Sequence, residues 1–337
     1  MQPLARTICF AKDMNQPIPV TILTGFLGAG KTTLLNHLIQ QNPERRFAII
    51  ENEFGDIAID NDLIISADDG IFEMSNGCIC CSLNAELTEI LLRLIESDKP
   101  FDHLLIETTG IAEPDGVAAA FVTDPAVQEY FRLDAVVCLA DAGNIEDMLA
   151  EREEARKQVT FADLIILNKQ SEVHPDYLQQ LQKKLATMNP FAAIRTADYA
   201  RVDTDMLHLN AYDNREVTRQ ITHISEHHHH HHHHHHHTDD IVAHSFIFNQ
   251  PFDFLRFMHW SRVLLLVQGK QIYRIKGILH FQTDAQRVIF QSVRTQSAFQ
   301  RGEAWQADET PQSRLVFIGK GIQREALERS LRSCLVK

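Results

Sequence analysis

Gly25-Phe26-Leu27-Gly28-Ala29-Gly30-Lys31-Thr32-Thr33 follows the apolar run Pro19-Val20-Thr21-Ile22-Leu23 and precedes Leu34-Leu35-Asn36-His37-Leu38-Ile39. A buried strand that runs into a glycine-rich turn opening a helix is the context in which G-x-x-x-x-G-K-[ST] acts as a phosphate-binding loop, the P-loop. Gly25, Gly28 and Gly30 permit backbone conformations and approaches that a Cβ would block, so successive N–H groups can point at phosphate oxygens. Lys31 is expected to neutralise the β and γ phosphates and Thr32 to offer its hydroxyl to Mg2+, while the helix N-terminus adds partial positive charge. Gly25, Gly28, Ala29, Gly30, Lys31, Thr32 and Thr33 form the expected nucleotide-contacting set.

Working outward, the chain has 337 residues, enough for two domains, and 44% of them are apolar and 23% charged, an ordinary globular composition. The formal net charge of -13 argues against a nucleic-acid partner, which needs clustered Lys and Arg. No apolar run approaches the 18 residues of a membrane span. Between Arg6 and Lys12 the apolar stretch is too short for a secretory signal. A cytoplasmic protein is expected, with its six cysteines reduced.

From Ile18 onward strand-like and helix-like segments alternate, which predicts an α/β P-loop NTPase domain with a mostly parallel central sheet. The expected strands are 20–24, 47–52, 103–108, 135–140, 164–168 and 192–196. Amphipathic periodicity predicts helices over 83–96 and 176–188. Residues 1–17 read as an N-terminal tail, 18–200 as the P-loop domain and 201–240 as a polar linker. Residues 241–337 read as a smaller α+β C-terminal domain, with strands over 241–248, 271–281, 287–293 and 313–319 and helices over 253–265 and 324–334.

Further chemistry lies after the P-loop. Glu107 ends the apolar run Leu104-Leu105-Ile106, where a strand-end carboxylate can hold a magnesium-bound water, and Gly110 can present its N–H to the γ phosphate. Lys31 and Glu107 are the expected catalytic pair. Glu51, Glu53 and Asp56 leave the second strand as an acidic loop of the kind that senses the γ phosphate. In Gly77-Cys78-Ile79-Cys80-Cys81, three thiolates at i, i+2 and i+3 suit a soft metal such as zinc and leave one tetrahedral position open. The linker holds eleven consecutive histidines, His227, His228, His229, His230, His231, His232, His233, His234, His235, His236 and His237. An affinity tag is the alternative explanation; a position between two domains favours a segment that collects metal without selecting the ion.

The P-loop, Glu51-Asn52-Glu53-Phe54-Gly55, Cys78-Ile79-Cys80-Cys81 and Glu107-Thr108-Thr109-Gly110 together resemble the CobW family of P-loop GTPases. These are relatives of the urease and hydrogenase nickel chaperones and include proteins proposed as zinc chaperones. Tyr273-Arg274-Ile275-Lys276-Gly277 and Leu315-Val316-Phe317-Ile318-Gly319 resemble the family's C-terminal domain. The resemblance implies GTP and Mg2+ as ligands, Cys78, Cys80 and Cys81 as metal thiolates, and Glu51 and Asp56 as oxygen ligands or links between metal and nucleotide sites. It also implies that Asn168 and Lys169 begin the guanine-reading element, usually NKxD. Here that element reads Asn168-Lys169-Gln170-Ser171, and a serine hydroxyl does not match the two guanine donors that an aspartate accepts. GTP is the expected nucleotide, with relaxed selectivity and ATP as the alternative; Glu172 or backbone near Ala197 and Asp198 are the expected substitutes.

The expected function is a slow GTPase and metallochaperone that binds Zn2+, with Co2+ or Ni2+ able to use the same donors, and passes it to a client metalloprotein as GTP turns over to GDP. A zinc buffer with a regulatory nucleotide site and a P-loop small-molecule kinase with a structural metal are the rival readings.

Overall fold

The computed structural model describes residues 16–51, 71–75, 83–96, 100–227, 241–293 and 295–337. The chain divides into two compact units: one contains the residues up to Leu181 and Ile194–Asn210, the other Gln182–Ala193 and Ala211–Lys337.

In the first unit, β1 (Ile18–Gly25) leads into α1 (Lys31–Gln41), β2 (Phe47–Glu51), β3 (Ile71–Ser75), α2 (Leu83–Glu96) and β4 (His103–Glu107). There follow α3 (Pro114–Thr123), the single turn α4 (Pro125–Gln128), β5 (Phe131–Asp141), α5 (Ile145–Glu151), α6 (Glu153–Phe161), β6 (Leu164–Asn168), α7 (Pro175–Met188), whose residues from Gln182 onward fall in the second unit, and β7 (Ala193–Thr196), of which Ile194–Thr196 fall in the first. The sheet order is β3-β2-β4-β1-β5-β6-β7. The pairs β3·β2, β2·β4, β4·β1, β1·β5 and β5·β6 are all parallel. Strands such as β1, β5 and β6 are buried along nearly their whole length, which is why they read as unbroken apolar runs. Because β4 inserts between β1 and β2, the carboxyl end of β1 lies where the strand order reverses, the position at which open α/β sheets bind ligands.

His103 opens β4, fully buried, with Nε2 2.8 Å from Thr21 Oγ1 of β1. Burial, helped by the nearby Arg45, His208 and Arg132, pushes its pKa from 6.5 down to about 3. The unfolded chain therefore binds this proton more readily than the folded one. The stabilising contribution is complete above pH 6.5 and is lost as the pH falls toward 3, at up to about 1.4 kcal/mol per pH unit. His103→Gln is expected to flatten the fall of Tm between pH 6.5 and 4.5; a slope equal to wild type would contradict this assignment.

The second unit contains α8 (Asn214–His227), β8 (Ile241–Phe248), α9 (Phe254–Gln268), β9 (Ile272–Leu279), β10 (Gln286–Val293), β11 (Gln296–Ala304), β12 (Ser313–Lys320) and α10 (Arg324–Arg332). Its five strands, in the order β11-β10-β9-β12-β8, pair antiparallel throughout. Alternation sorts the side chains onto two faces. Ile275, Leu279, Phe290, Leu315 and Phe317 join Phe257, Leu264 and Leu265 of α9 and Leu327 and Leu331 of α10 in one core. On the other face, Ile278, Ile289, Val316 and Ile318 pack with Val217, Ile221 and Ile224 of α8. The stretch 201–226, polar in composition, thus contains a helix with an apolar stripe at helical spacing. Arg274 and Lys276 are buried on β9; Lys276 Nζ lies 5.1 Å from the Phe191 ring and 5.4 Å from that of Tyr212, and 3.3 Å from Gln220 Oε1. Cation–π contact and amide oxygen replace water there.

The five-residue strand β3 and the polar strand β11 add edge strands that the sequence reading did not place. The helices α3, α5 and α6 flank the strand expected over 135–140, in stretches where the sequence reading placed no helix.

Candidate nucleotide site

Gly25 ends β1 at φ 135°, where a Cβ would overlap the Leu139 carbonyl oxygen, and Gly30 caps α1 in the left-handed region at φ 107°, where a Cβ would sit 2.6 Å from Asn168 Nδ2. Both positions require glycine. No side chain caps the N-terminus of α1, and its first turn holds no acidic residue. The first-turn N–H groups of Lys31, Thr32 and Thr33 have no intrahelical partner. Thr32 and Thr33 are exposed, Gly28 has open space where a Cβ would point, and Ala29 is buried beneath the loop.

Lys31 is 7% exposed, and its Nζ donates to the carbonyl oxygens of Gly25 (3.0 Å) and Phe26 (3.5 Å). Burial lowers its pKa, while the charge of Glu107 opposes that shift. A cation kept dry against neutral carbonyls is held ready for a stronger anionic partner.

Thr32 Oγ1 donates to Glu107 Oε1 at 3.0 Å, so residues 75 positions apart meet. The register β2·β4 places Glu51 beside Glu107, and β2·β3 places Ser75 beside Glu51. Two carboxylate-bearing residues, Glu51 and Glu107, therefore end neighbouring parallel strands on the same side of the sheet. Thr109 Oγ1 is buried without a hydrogen-bond partner among the described residues. Hard oxygen donors of this kind, beside a polyphosphate cradle, fit Mg2+.

Gly110 packs against the P-loop so closely that a Cβ would come within 2.6 Å of the Leu27 amide nitrogen. Gln158, buried on α6, donates Nε2 to the carbonyl oxygens of Gly110 and Ala112, both at 3.1 Å. The sequence reading missed this brace, because a lone glutamine in a helix carries no local signal. A cavity of about 240 Å3 lies beside it, lined by Phe26, Leu27, Cys138, Leu139 and Gln158. Burial pushes the Cys138 thiol to about 12, which makes it a packed side chain and no thiolate ligand.

Asn168 joins three segments: its Nδ2 donates to Ala29 O at 2.9 Å and its Oδ1 accepts from Ala200 N at 2.8 Å. Lys169 has φ 60°, and its Nζ pairs with Asp141 Oδ2 at 2.6 Å. Burial would raise Asp141, but Lys169, Gly143 N–H and Asn144 hold it below the usual range. The sequence reading did not single out Asp141, although an acid directly after the apolar run 135–140 carries a signal for it. Ser171 lies with its N and Oγ on Asp198.

Asp56, Cys78, Cys80, Cys81 and His228–His237 lie outside the described residues, while His227 ends α8. Among the described residues no group of three His, Cys, Asp or Glu side chains could hold a metal ion, and no helix is long and apolar enough to cross a membrane.

Residues 19–196 match the family described as CobW/HypB/UreG, nucleotide-binding domain, and residues 241–335 match the cobalamin synthesis protein cobW C-terminal domain. The chain is 33% identical to the zinc chaperone YjiA of Escherichia coli over 92% of its own length and 96% of that protein. It is 32% identical to the zinc chaperone CobW of Pseudomonas aeruginosa, covering 94% of this chain and 92% of that one. With the zinc-regulated GTPase metalloprotein activator 1 of Schizosaccharomyces pombe it shares 32% identity, over 82% of this chain and 75% of the other. The crystal structure of zinc-bound YjiA GTPase from E. coli superposes with a TM-score of 0.71 at 28% identity, covering 96% of this chain and all of that one. With a P-loop built on β1 and α1, and with both of its units matched, the chain belongs to the CobW/HypB/UreG family of nucleotide-binding proteins.

Proposed function

We propose that this protein is a cytoplasmic GTP-hydrolysing metallochaperone that carries zinc on Cys78, Cys80 and Cys81 and releases it to a client metalloprotein under nucleotide control. Zinc is the cargo. The names of its relatives, zinc chaperone and zinc-regulated GTPase, support that reading. So does the alignment of Glu51, Glu107 and Ser75 on three adjacent parallel strands. Glu107 touches the P-loop through Thr32. The acidic loop follows Glu51 in the chain, and the cysteine element begins three residues after Ser75. Both segments therefore leave the sheet edge that meets the P-loop. This juxtaposition is the single observation that carries the proposal.

Lys31 neutralises charge on the β and γ phosphates, and the uncapped N-terminus of α1 receives phosphate oxygens. Thr32 and Glu107, which hydrogen-bond to each other, are the residues that would hold Mg2+. Mg2+ supplies Lewis-acid neutralisation of the phosphate oxygens when bound. Gly110, braced by Gln158, presents backbone N–H to the γ phosphate. Glu51 and Asp56 link this edge to the thiolates, and the histidine run gathers metal nearby. Three thiolates leave one coordination position for exchange with a client, and residues 241–337 supply the client-facing domain.

Zinc affinity, measured by chelator competition on protein whose histidines 227–237 are replaced by serine, is expected to differ at least tenfold between the forms with and without a magnesium-bound non-hydrolysable GTP analogue. That shift is about 1.4 kcal/mol of coupling, and linkage requires zinc to change nucleotide affinity by the same factor. Tight zinc binding indifferent to nucleotide would instead indicate a static buffer site.

A further inference from the structure

Two segments of the first unit are laced together beside the P-loop. Gln170 N donates to Ala197 O (3.1 Å), Ala197 N to Leu167 O (2.9 Å) and Ala200 N to Asn168 Oδ1 (2.8 Å). Asn168 in turn donates to Ala29 O of the P-loop itself. On the rim of this lacing, Ser171 donates both its backbone N–H (3.0 Å) and its hydroxyl (2.9 Å) to Oδ1 of Asp198. The hydroxyl of Ser171 spends its one proton on that carboxylate, so its work is to aim Asp198 rather than to meet a ligand. Lys169, Tyr199 and Ala200 all sit in the left-handed region, at φ 60°, 53° and 54°. Three non-glycine residues held there are conformations that the surrounding hydrogen bonds must impose, and such imposed strain concentrates at binding sites.

We propose that Asp198, positioned by Ser171, is the carboxylate that reads the guanine base in this chain. The assignment rests on the reading of the P-loop as a GTP site. Guanine presents two adjacent N–H donors, the ring N1–H and the 2-amino group, and a carboxylate offers two acceptor oxygens to meet them. Adenine presents an acceptor at N1 and no 2-amino group, so the same carboxylate repels it. The Ser171 N–H, foremost among its partners, holds the Asp198 carboxyl below the usual range, so both oxygens are acceptors at neutral pH. The expected loss of selectivity at Ser171 is thereby restored from 27 residues further along the chain. Glu172 is exposed in the turn Gln170–Glu172 and is not needed for this role.

Titration of the full-length protein with fluorescent guanosine, adenosine and xanthosine diphosphates tests the assignment. Wild type is expected to favour guanosine over adenosine by at least tenfold. D198N replaces an acceptor by an amide donor, which suits the 2-carbonyl of xanthine. It is expected to lose at least tenfold in guanosine diphosphate affinity and to gain in xanthosine diphosphate affinity, a gain that misfolding cannot produce. S171A, which frees the carboxylate from its hydroxyl, is expected to weaken guanosine binding severalfold without a xanthosine gain, and E172Q to change nothing. A guanosine preference that survives D198N, or a D198N protein that gains no xanthosine affinity, overturns the assignment and leaves the GTP site standing. Wild type with no guanosine preference overturns both.

Discussion

Lys31→Ala is expected to lower guanine-nucleotide affinity by two to three orders of magnitude while leaving the fold intact. The ammonium is almost fully buried and is satisfied only in part, by two neutral carbonyls at 3.0 and 3.5 Å. A triphosphate offers it a charged partner in the same dry place, and removing one member of such a buried, hydrogen-bonded charge pair costs roughly 2–5 kcal/mol. In the nucleotide-free protein the balance reverses: burial already works against the charged lysine, so its truncation removes a desolvation cost along with two weak bonds. Tm without nucleotide should therefore stay near the wild-type value or rise, and the stabilisation normally conferred by GTP should vanish. Fluorescent-nucleotide titration and thermal shift together check this. An affinity within threefold of wild type would show that the P-loop does not hold the phosphates through Lys31.

The second large effect is expected at the cysteines. Simultaneous replacement of Cys78, Cys80 and Cys81 by serine, in protein with the histidines 227–237 also replaced, should reduce zinc affinity by at least a thousandfold. Zinc–thiolate bonds dominate such sites, with apparent binding energies of order 10 kcal/mol for complete structural centres, and serine hydroxyls remain protonated and bind zinc poorly. The two cysteines among the described residues cannot compensate from the interior. Cys138 and Cys334 are buried, and burial raises the pKa of both thiols. Nucleotide affinity in the absence of zinc should survive in the triple variant, because it leaves the expected phosphate-contacting residues Gly25 to Thr33 unchanged. Retained tight zinc binding would place the carrier site elsewhere, and the histidine run restored on the triple variant would show how much capacity the imidazoles contribute alone.

Local pattern made much of the first unit readable. Val20–Thr24 and Leu164–Asn168 are buried on both faces of a parallel sheet, so their unbroken apolar runs announce strands before any contact is known. The glycines at 25 and 30 are required by backbone geometry that the motif itself encodes. The edge strands were less legible. Gln296–Ala304 is a largely polar segment that becomes a strand by pairing with β10, and nothing in its own side chains demands it. The helix over Asn214–His227 is polar in mean composition and reveals its stripe only against the sheet face that buries Val217, Ile221 and Ile224.

The same division runs through the candidate site. A strand, a glycine turn and a helix are contiguous in the chain, so sequence alone determined the P-loop, its lysine, its threonine and the parallel α/β class around them. Tertiary structure decided what meets them: Glu107 on Thr32 across 75 residues, Gln158 on Gly110 across 48, Asn168 on Ala29 across 139, and Asp198 on Ser171 across 27. Backbone periodicity propagates over a few residues and leaves its mark on composition, whereas a hydrogen bond between distant strand ends depends on sheet order and register, which no short window of sequence contains.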